Sequence, residues 1–366
     1  MFEQPLIAYF QDAIFPINLF SLPLAYTHCS VLTSFSNFTF LISDVHRIRQ
    51  CSITIFYSNV TLEPENETET ILLIWTWPFG QKFDTDCRGF GIEKCHLTDN
   101  RSLYPIADGV FFHHRDVCNN LQDLPKIPRP FFQKWVWANM ESPANTPVMP
   151  ILNNLFNLTC SYRIDSTIHV PYGYVLPRNS DEPVVQLPTK DKLVCWVVSN
   201  WNTLLLRVQY YEQLKNHIKI NIYGKAFRNP LSDQAYEDVI SQCKFYLAFE
   251  NSAYKDYMTE KVFSPLLLGS VPIVLGPPRE DYQQQIPANA FIHVDDFASP
   301  KELAERLHYL DRHPEEYMDY FKWRREYKVV RSWFGKEHAC RSCSHIQKHR
   351  GSEVVHNLQT WFWSDK

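Results

Sequence analysis

The sequence predicts an α/β protein of two doubly wound lobes facing each other across a central cleft. Short apolar runs recur between residues 71 and 140, each closed by polar or turn residues. Between 193 and 276 such runs alternate with segments of helical spacing, and a Pro-rich stretch separates the two series. At 366 residues, with 45% hydrophobic and 15% aromatic content, the chain exceeds one ordinary domain and can fill two cores. Its 24 prolines argue against long helices.

In order, ILLIWTW (Ile71 to Trp77), closed by Pro78 and Gly80, has the pattern of a strand buried on both faces, and GVFFHH (Gly109 to His114) and WVWANM (Trp135 to Met140) repeat it. VPYGYVLPRNSDEPVVQLP, near residues 170 to 190, is the expected boundary between lobes. Beyond it the order is LVCWVVSN (strand), TLLLRVQYYEQLKN (helix), IKINIYG (strand), SDQAYEDVISQC (helix, Ser232 as cap) and KFYLAFEN (strand). DYMTEKVFSPLLLG, a helix stopped by Gly269, and the strand VPIVLG complete the series. Repeated βα units of this kind bind ligands at the carboxyl ends of their strands. Residues 1–68 lack a clear period and end in the acidic VTLEPENETET, which reads as a membrane-proximal stem. The expected divisions are therefore 1–68, a first lobe over 69–180, a second over 181–345, and a C-terminal helical segment, 346–366, packing back on the first.

A formal charge of -4 without long charged runs leaves no electrostatic footprint for nucleic acid. Sequons at Asn37, Asn59, Asn66, Asn100 and Asn157, with ten cysteines mostly spread singly, point to the oxidising secretory pathway. From Ala13 to Ser43 no Asp, Glu, Lys or Arg occurs, but polar residues and two prolines dilute the stretch. Its flanking charges, Glu3 and Asp12 before and Arg47 and Arg49 after, are reversed for a cytoplasmic N-terminus, so whether it anchors the chain stays open.

Polar residues close three second-lobe strands: Ser199 and Asn200, Tyr223, and Glu250 with Asn251. Asn251 to Lys261 then leads into a helix start, where free N–H groups favour phosphate and Lys261 can neutralise it, while Arg207 follows another strand end. The plain alternatives are caps and solvated cations. The absence of a Gly-rich phosphate loop argues against a P-loop NTPase or NAD dehydrogenase. Asp84 and Asp86 sit in a polar loop, where solvation is a better account than a metal, and His338 to His345, with Cys340 and Cys343, suits disulfides better than zinc. In the first lobe Glu141 follows WVWANM at a strand's carboxyl end, although an acid at a helix start is the alternative; His113, His114 and Arg115, beside Asp116, read as a polar rim.

Through CHLTDNRSLY, DGVFFHHRD, WVWANMESP, VPYG, WVVSN, FYLAFENS, DYMTEK, GSVPIVLGP, IPANAFIHVDDF and HACRSC, the chain resembles the vertebrate α1,3-fucosyltransferases of glycosyltransferase family 10 from about Ile71 to Trp363. The resemblance implies a GT-B architecture of two Rossmann-like lobes, the N-terminal binding acceptor and the C-terminal binding GDP-fucose. It implies inverting transfer of L-fucose to O3 of GlcNAc, with no metal or cofactor beyond the donor substrate. Carried over by position, Ser199, Asn200, Arg207, Tyr246, Asn251, Tyr257, Glu260 and Lys261 are the donor site, with Arg207 and Lys261 offsetting charge on the leaving GDP and Glu141 as general base. Acceptor contacts fall on His113, His114, Arg115 and Trp135, and Arg115 after the His pair resembles members restricted to type 2 (Galβ1,4GlcNAc) chains. Implied too are a Cys195–Cys243 disulfide and two bridges from Cys87 and Cys95 to Cys340 and Cys343, while the sequons at Asn59, Asn66, Asn100 and Asn157 are the expected glycan sites. Expected partners are glycoprotein and glycolipid N-acetyllactosamine acceptors and the Golgi membrane, with the catalytic region lumenal; a homodimer is left open. The alternatives are a glycan-binding pseudoenzyme of the same fold and a GT-B enzyme using another nucleotide sugar.

Overall fold

The computed structural model describes residues 69–364 apart from 120, 180, 184 and 185, and ahead of them only four short strands. These form two antiparallel pairs, Tyr9–Phe10 with Ala13–Ile14 and Thr33–Phe35 with Phe38–Phe40, within a unit spanning 1–66. The rest of the expected stem and the sequons at Asn37, Asn59 and Asn66 lie outside the described residues. No helix among the described residues is long and apolar enough to cross a membrane.

The unit spanning 67–366 holds two parallel sheets. The first runs, edge to edge, Ile168–His169, Leu158–Ser161, Lys134–Asn139, Gly109–His113, Thr70–Ile74, Cys95–Thr98. Its centre is the three apolar runs; every residue of Gly109–His113 and Lys134–Asn139 is buried, as a strand covered on both faces requires. The flanking strands escape sequence reading because they are two to four residues long and carry Ser, Thr and His. One face is covered by the helix Lys336–Lys348, whose Ala339, Cys340, Cys343 and Ile346 pack on Leu72, Phe111, Val136 and Leu158. The other carries Trp135, Trp137, Phe156 and Phe362. The chain thus returns to the first sheet from Lys336, ahead of the expected boundary at 346, because the helix is buried from Glu337 onward.

The second sheet runs Ile220–Tyr223, Lys192–Val197, Cys243–Phe249, Val271–Leu275, Ile292–His293. Its order reverses between Lys192–Val197 and Cys243–Phe249, which opens a crevice at their carboxyl ends. Ser232 caps the helix Asp233–Gln242 by accepting the Ala235 N–H, and Gly269, left-handed at φ 82°, ends Glu260–Leu268, both as the spacing predicts. The helix Leu206–Leu214 starts later than its apolar run, since the Asn202 side chain accepts the Leu204 N–H and holds the preceding residues in a turn.

The Pro-rich boundary is not simply a loop. Gly173–Pro177 pairs antiparallel with Tyr327–Arg331, and proline is tolerated because Pro177 ends the strand. Among the described residues three disulfides form, Cys87–Cys340, Cys95–Cys343 and Cys195–Cys243, with Cα separations of 5.4, 6.0 and 6.0 Å.

Candidate active site

The switch-point crevice is a cavity of about 480 Å³ lined by Ser199, Asn200, Arg207, Tyr246, Asn251, Glu260 and Lys261, among others. Strand ends deliver Ser199, Asn200 and Asn251; Tyr246 lies in the strand itself, buried, and burial pushes its phenol far up. Arg207 is 4% exposed. Its Nη1 donates to the Phe249 carbonyl at 3.4 Å and its Nη2 to the Asn200 carbonyl at 2.6 Å, while Nε has no partner. Burial lowers its pKa, against the pull of Glu250. A guanidinium buried without a hydrogen-bonded carboxylate and with a donor to spare is costly unless an anion joins it.

The helix Glu260–Leu268 begins at the same crevice, capped by Thr259, whose Oγ1 accepts the Lys261 N–H. Lys261 Nζ stands 2.7 Å from Thr259 Oγ1, 3.1 Å from Glu250 and 3.3 Å from Glu260. Burial pulls its pKa down, but Glu250 and Glu260 outweigh burial and hold it above the ordinary lysine value. Glu250, 1% exposed, takes the Thr259 N–H and Oγ1–H, each at 2.8 Å. Burial pushes its carboxyl up and Lys261 pulls it back. Glu250 and Thr259 therefore aim Lys261. The first is legible as a strand-end acid, yet nothing in the spacing reveals that the two meet at one ammonium.

A second cavity, about 300 Å³, shares Asn251, Glu260 and Lys261 with the first and adds Met140, Glu141, His113, Tyr172, Tyr257, Thr259, Phe79 and Phe334. Tyr257 belongs to this smaller space, edge-on to Tyr162 at 5.1 Å, and does not line the larger one. Glu141 is half-buried, its N–H donated to Asn139 Oδ1 and its carbonyl accepting from Asn139 Nδ2, both at 3.3 Å. Its carboxylate has no hydrogen-bond or ion-pair partner among the described residues. Next to it Ser252 Oγ donates to Ser142 Oγ at 2.7 Å, tying the end of one sheet's central strand to the loop after the other's. The first sheet's carboxylate and the second sheet's cation thus face one space.

Of the expected acceptor contacts, His113 lines this cavity, with Nδ1 2.6 Å from Asp116 and a pKa lowered by burial against that carboxylate's pull. Arg115 does not line it, but its guanidinium lies 5.2 Å over the ring of Phe79, which does. His114 and Trp135 are corrected. His114 is buried, accepting from Trp137 Nε1 at 2.9 Å, and burial lowers its pKa to about 4. Trp135 packs on Phe112 and Phe156 at the start of its strand, roughly 13 Å below the carboxyl end at about 3.3 Å per residue. Asn157 is likewise bracing: Nδ2 donates to the Glu353 carbonyl at 2.7 Å while Oδ1 accepts from the Trp135 N–H and from Arg129. Asn100 is exposed. Asp84 pairs with Lys336 at 2.6 Å and Asp86 with Arg88 at 2.9 Å, and no cluster of three metal-ligating side chains occurs among the described residues.

Two family profiles match in tandem: "Fucosyltransferase, N-terminal" over residues 67–173 and "Glycosyltransferase family 10 (fucosyltransferase) C-term" over 187–361. The 4-galactosyl-N-acetylglucosaminide 3-alpha-L-fucosyltransferase 9 of Mus musculus is 50% identical over 298 residues, 81% of this chain and 83% of the relative, and that of Homo sapiens is equally so. A 3-galactosyl-N-acetylglucosaminide 4-alpha-L-fucosyltransferase of Bos taurus is 46% identical over 80% of this chain and 81% of its own. A crystal structure of an alpha1,3-fucosyltransferase with GDP-fucose aligns at a TM-score of 0.52 and 18% identity, over 79% of this chain and 92% of that one, a likeness of fold.

Proposed function

The chain belongs to glycosyltransferase family 10, the fucosyltransferases, and from that premise we propose that it transfers L-fucose from GDP-β-L-fucose to O3 of GlcNAc in type 2 chains with inversion. The observation that carries this reading is the buried Arg207 guanidinium without a hydrogen-bonded carboxylate, lining one crevice with Lys261 and a helix start. That arrangement suits a diphosphate. As the C1–O bond to GDP breaks, its electron pair passes to the β-phosphate oxygen, where Arg207 and Lys261 offset the charge, so the transfer runs without a metal. Glu141, across the adjoining cavity, takes the proton of the attacking O3 hydroxyl as the new bond forms. Residues 69–180 then serve the acceptor and 181–335 the donor. Arg115 and the 3-alpha specificity in the names of relatives such as those from Mus musculus and Homo sapiens favour type 2 chains. The sequons and disulfides favour a Golgi-lumenal setting. The test incubates the purified full chain with each radiolabelled nucleotide sugar and N-acetyllactosamine, with and without EDTA. Label from GDP-fucose alone supports the reading. Label from no donor supports a pseudoenzyme, and loss in EDTA restored by manganese overturns the metal-free step.

A further inference from the structure

Phe79 is an aromatic residue where the backbone asks for another kind. The Gln81 N–H bonds the Pro78 carbonyl at 3.0 Å across Phe79 and Gly80, whose φ angles are +55° and +68°. A turn with two positive central φ values ordinarily takes Asn, Asp or Gly, and a bulky side chain at its first centre is strained. Strain of this sort persists only where the surroundings impose it. Here the Phe79 N–H donates to Asp116 Oδ2 at 3.1 Å, the carboxylate oxygen that also meets His113. The ring stands edge-on to His113 at 4.9 Å and 5.8 Å from Phe334. Phe334 reaches the spot from a separate turn: a Cβ on the next residue, Gly335, would collide with Phe83 and approach Pro78.

Phe79 and Phe334, each 45% exposed and with rings 5.8 Å apart, thus line the smaller cavity together with Glu141 and Lys261. Apolar surface of this size left open to water beside a reacting carboxylate calls for a ligand with an apolar face of its own. The axial C–H face of a pyranose is such a surface.

We propose that Phe79 and Phe334 are the stacking platform for the acceptor, holding the pyranose next to the sugar that reacts, and that Asp116 positions this platform by fixing both Phe79 and His113. The proposal rests on the reading of this cavity as the acceptor side. Phe79→Asn suits the positive φ, so it removes the ring without loosening the turn. Phe334→Ala removes the other ring, and Phe79→Tyr keeps aromaticity. Binding of N-acetyllactosamine to the GDP-loaded full chain, read by titration, needs no turnover. It is expected to weaken about tenfold in both ring-removing variants, the scale of one lost aromatic contact, and to recover in Phe79→Tyr, while GDP affinity stays within about twofold of the parent. Unchanged N-acetyllactosamine affinity in folded Phe79→Asn and Phe334→Ala overturns the proposal, as does an equal loss of GDP affinity. A parent that binds the disaccharide through these rings but transfers no fucose refutes the transferase reading instead.

Discussion

At the scale of single residues, charge compensation separates the roles of the site. Glu141 has a carboxylate free of partners, whereas Lys261 is held by Glu250, Glu260 and Thr259 and Arg207 by two carbonyls. Glu141→Gln keeps the shape and removes the base, so turnover is expected to fall by about 10²-fold or more with GDP affinity unchanged. Near-normal turnover would move the role to another group, with Asp116 next in line, although its carboxylate is already engaged by His113 and the Phe79 N–H. Lys261→Ala removes a charge-assisted contact and is expected to cost about 1.5–3 kcal/mol of donor binding, measured by calorimetry with GDP. That Glu141, Arg207 and Lys261 would line the two cavities was legible because each stands just beyond a strand or at a helix start. Phe79 was not, since Pro-Phe-Gly in a loop says nothing of what the ring faces. His114 and Trp135 misled for a related reason: closeness in sequence to the reacting end of a strand says nothing of depth along it.

Among elements, the helix Glu260–Leu268 does the most for the site, and its two ends can be tested apart. Thr259 both caps the helix and bonds Lys261 Nζ, so Thr259→Ala is expected to cost about 1 kcal/mol of stability and to weaken GDP binding as well. At the far end Gly269 is left-handed at φ 82°, and a Cβ there would meet Leu187 at 3.0 Å and Pro188 at 3.1 Å. Gly269→Ala is therefore expected to lower thermal stability by about 1 kcal/mol or more while leaving GDP affinity intact. The Gly269 stop was readable beforehand from a Gly after an apolar run, whereas the Thr259 cap was not, because the helical reading began at Asp256 and the helix begins at Glu260. The central strands were readable because burial on both faces demands uninterrupted apolar residues, as in Val110, Phe111 and Phe112. Pairing partners were not, because the short strand Gly173–Pro177 finds Tyr327–Arg331 far along the chain by tertiary contact alone.

Across the whole molecule, buried neutral histidines tie stability to pH. Burial lowers His113, brings His114 to about 4 and His338 to about 3, from an ordinary value of 6.5. Below that ordinary value the unfolded chain takes up protons that the folded chain refuses, so stability present above pH 6.5 is lost as pH falls toward 4. Thermal unfolding measured at pH 7, 6, 5 and 4 is expected to give steadily lower midpoints, and a flat profile would refute the assignment. The long-range bridges set a different limit, one of time. Cys87 and Cys95 precede their partners by 253 and 248 residues, while Cys195 precedes Cys243 by 48. At about 5–20 residues per second the two earlier cysteines wait roughly 12–50 s before Cys340 and Cys343 exist. During that interval the first sheet also lacks the helix Lys336–Lys348 that covers one of its faces. The growing chain must keep two thiols and an apolar sheet face out of wrong partnerships until the helix Lys336–Lys348 arrives, so the helix that closes the first sheet is also the clock by which this protein matures.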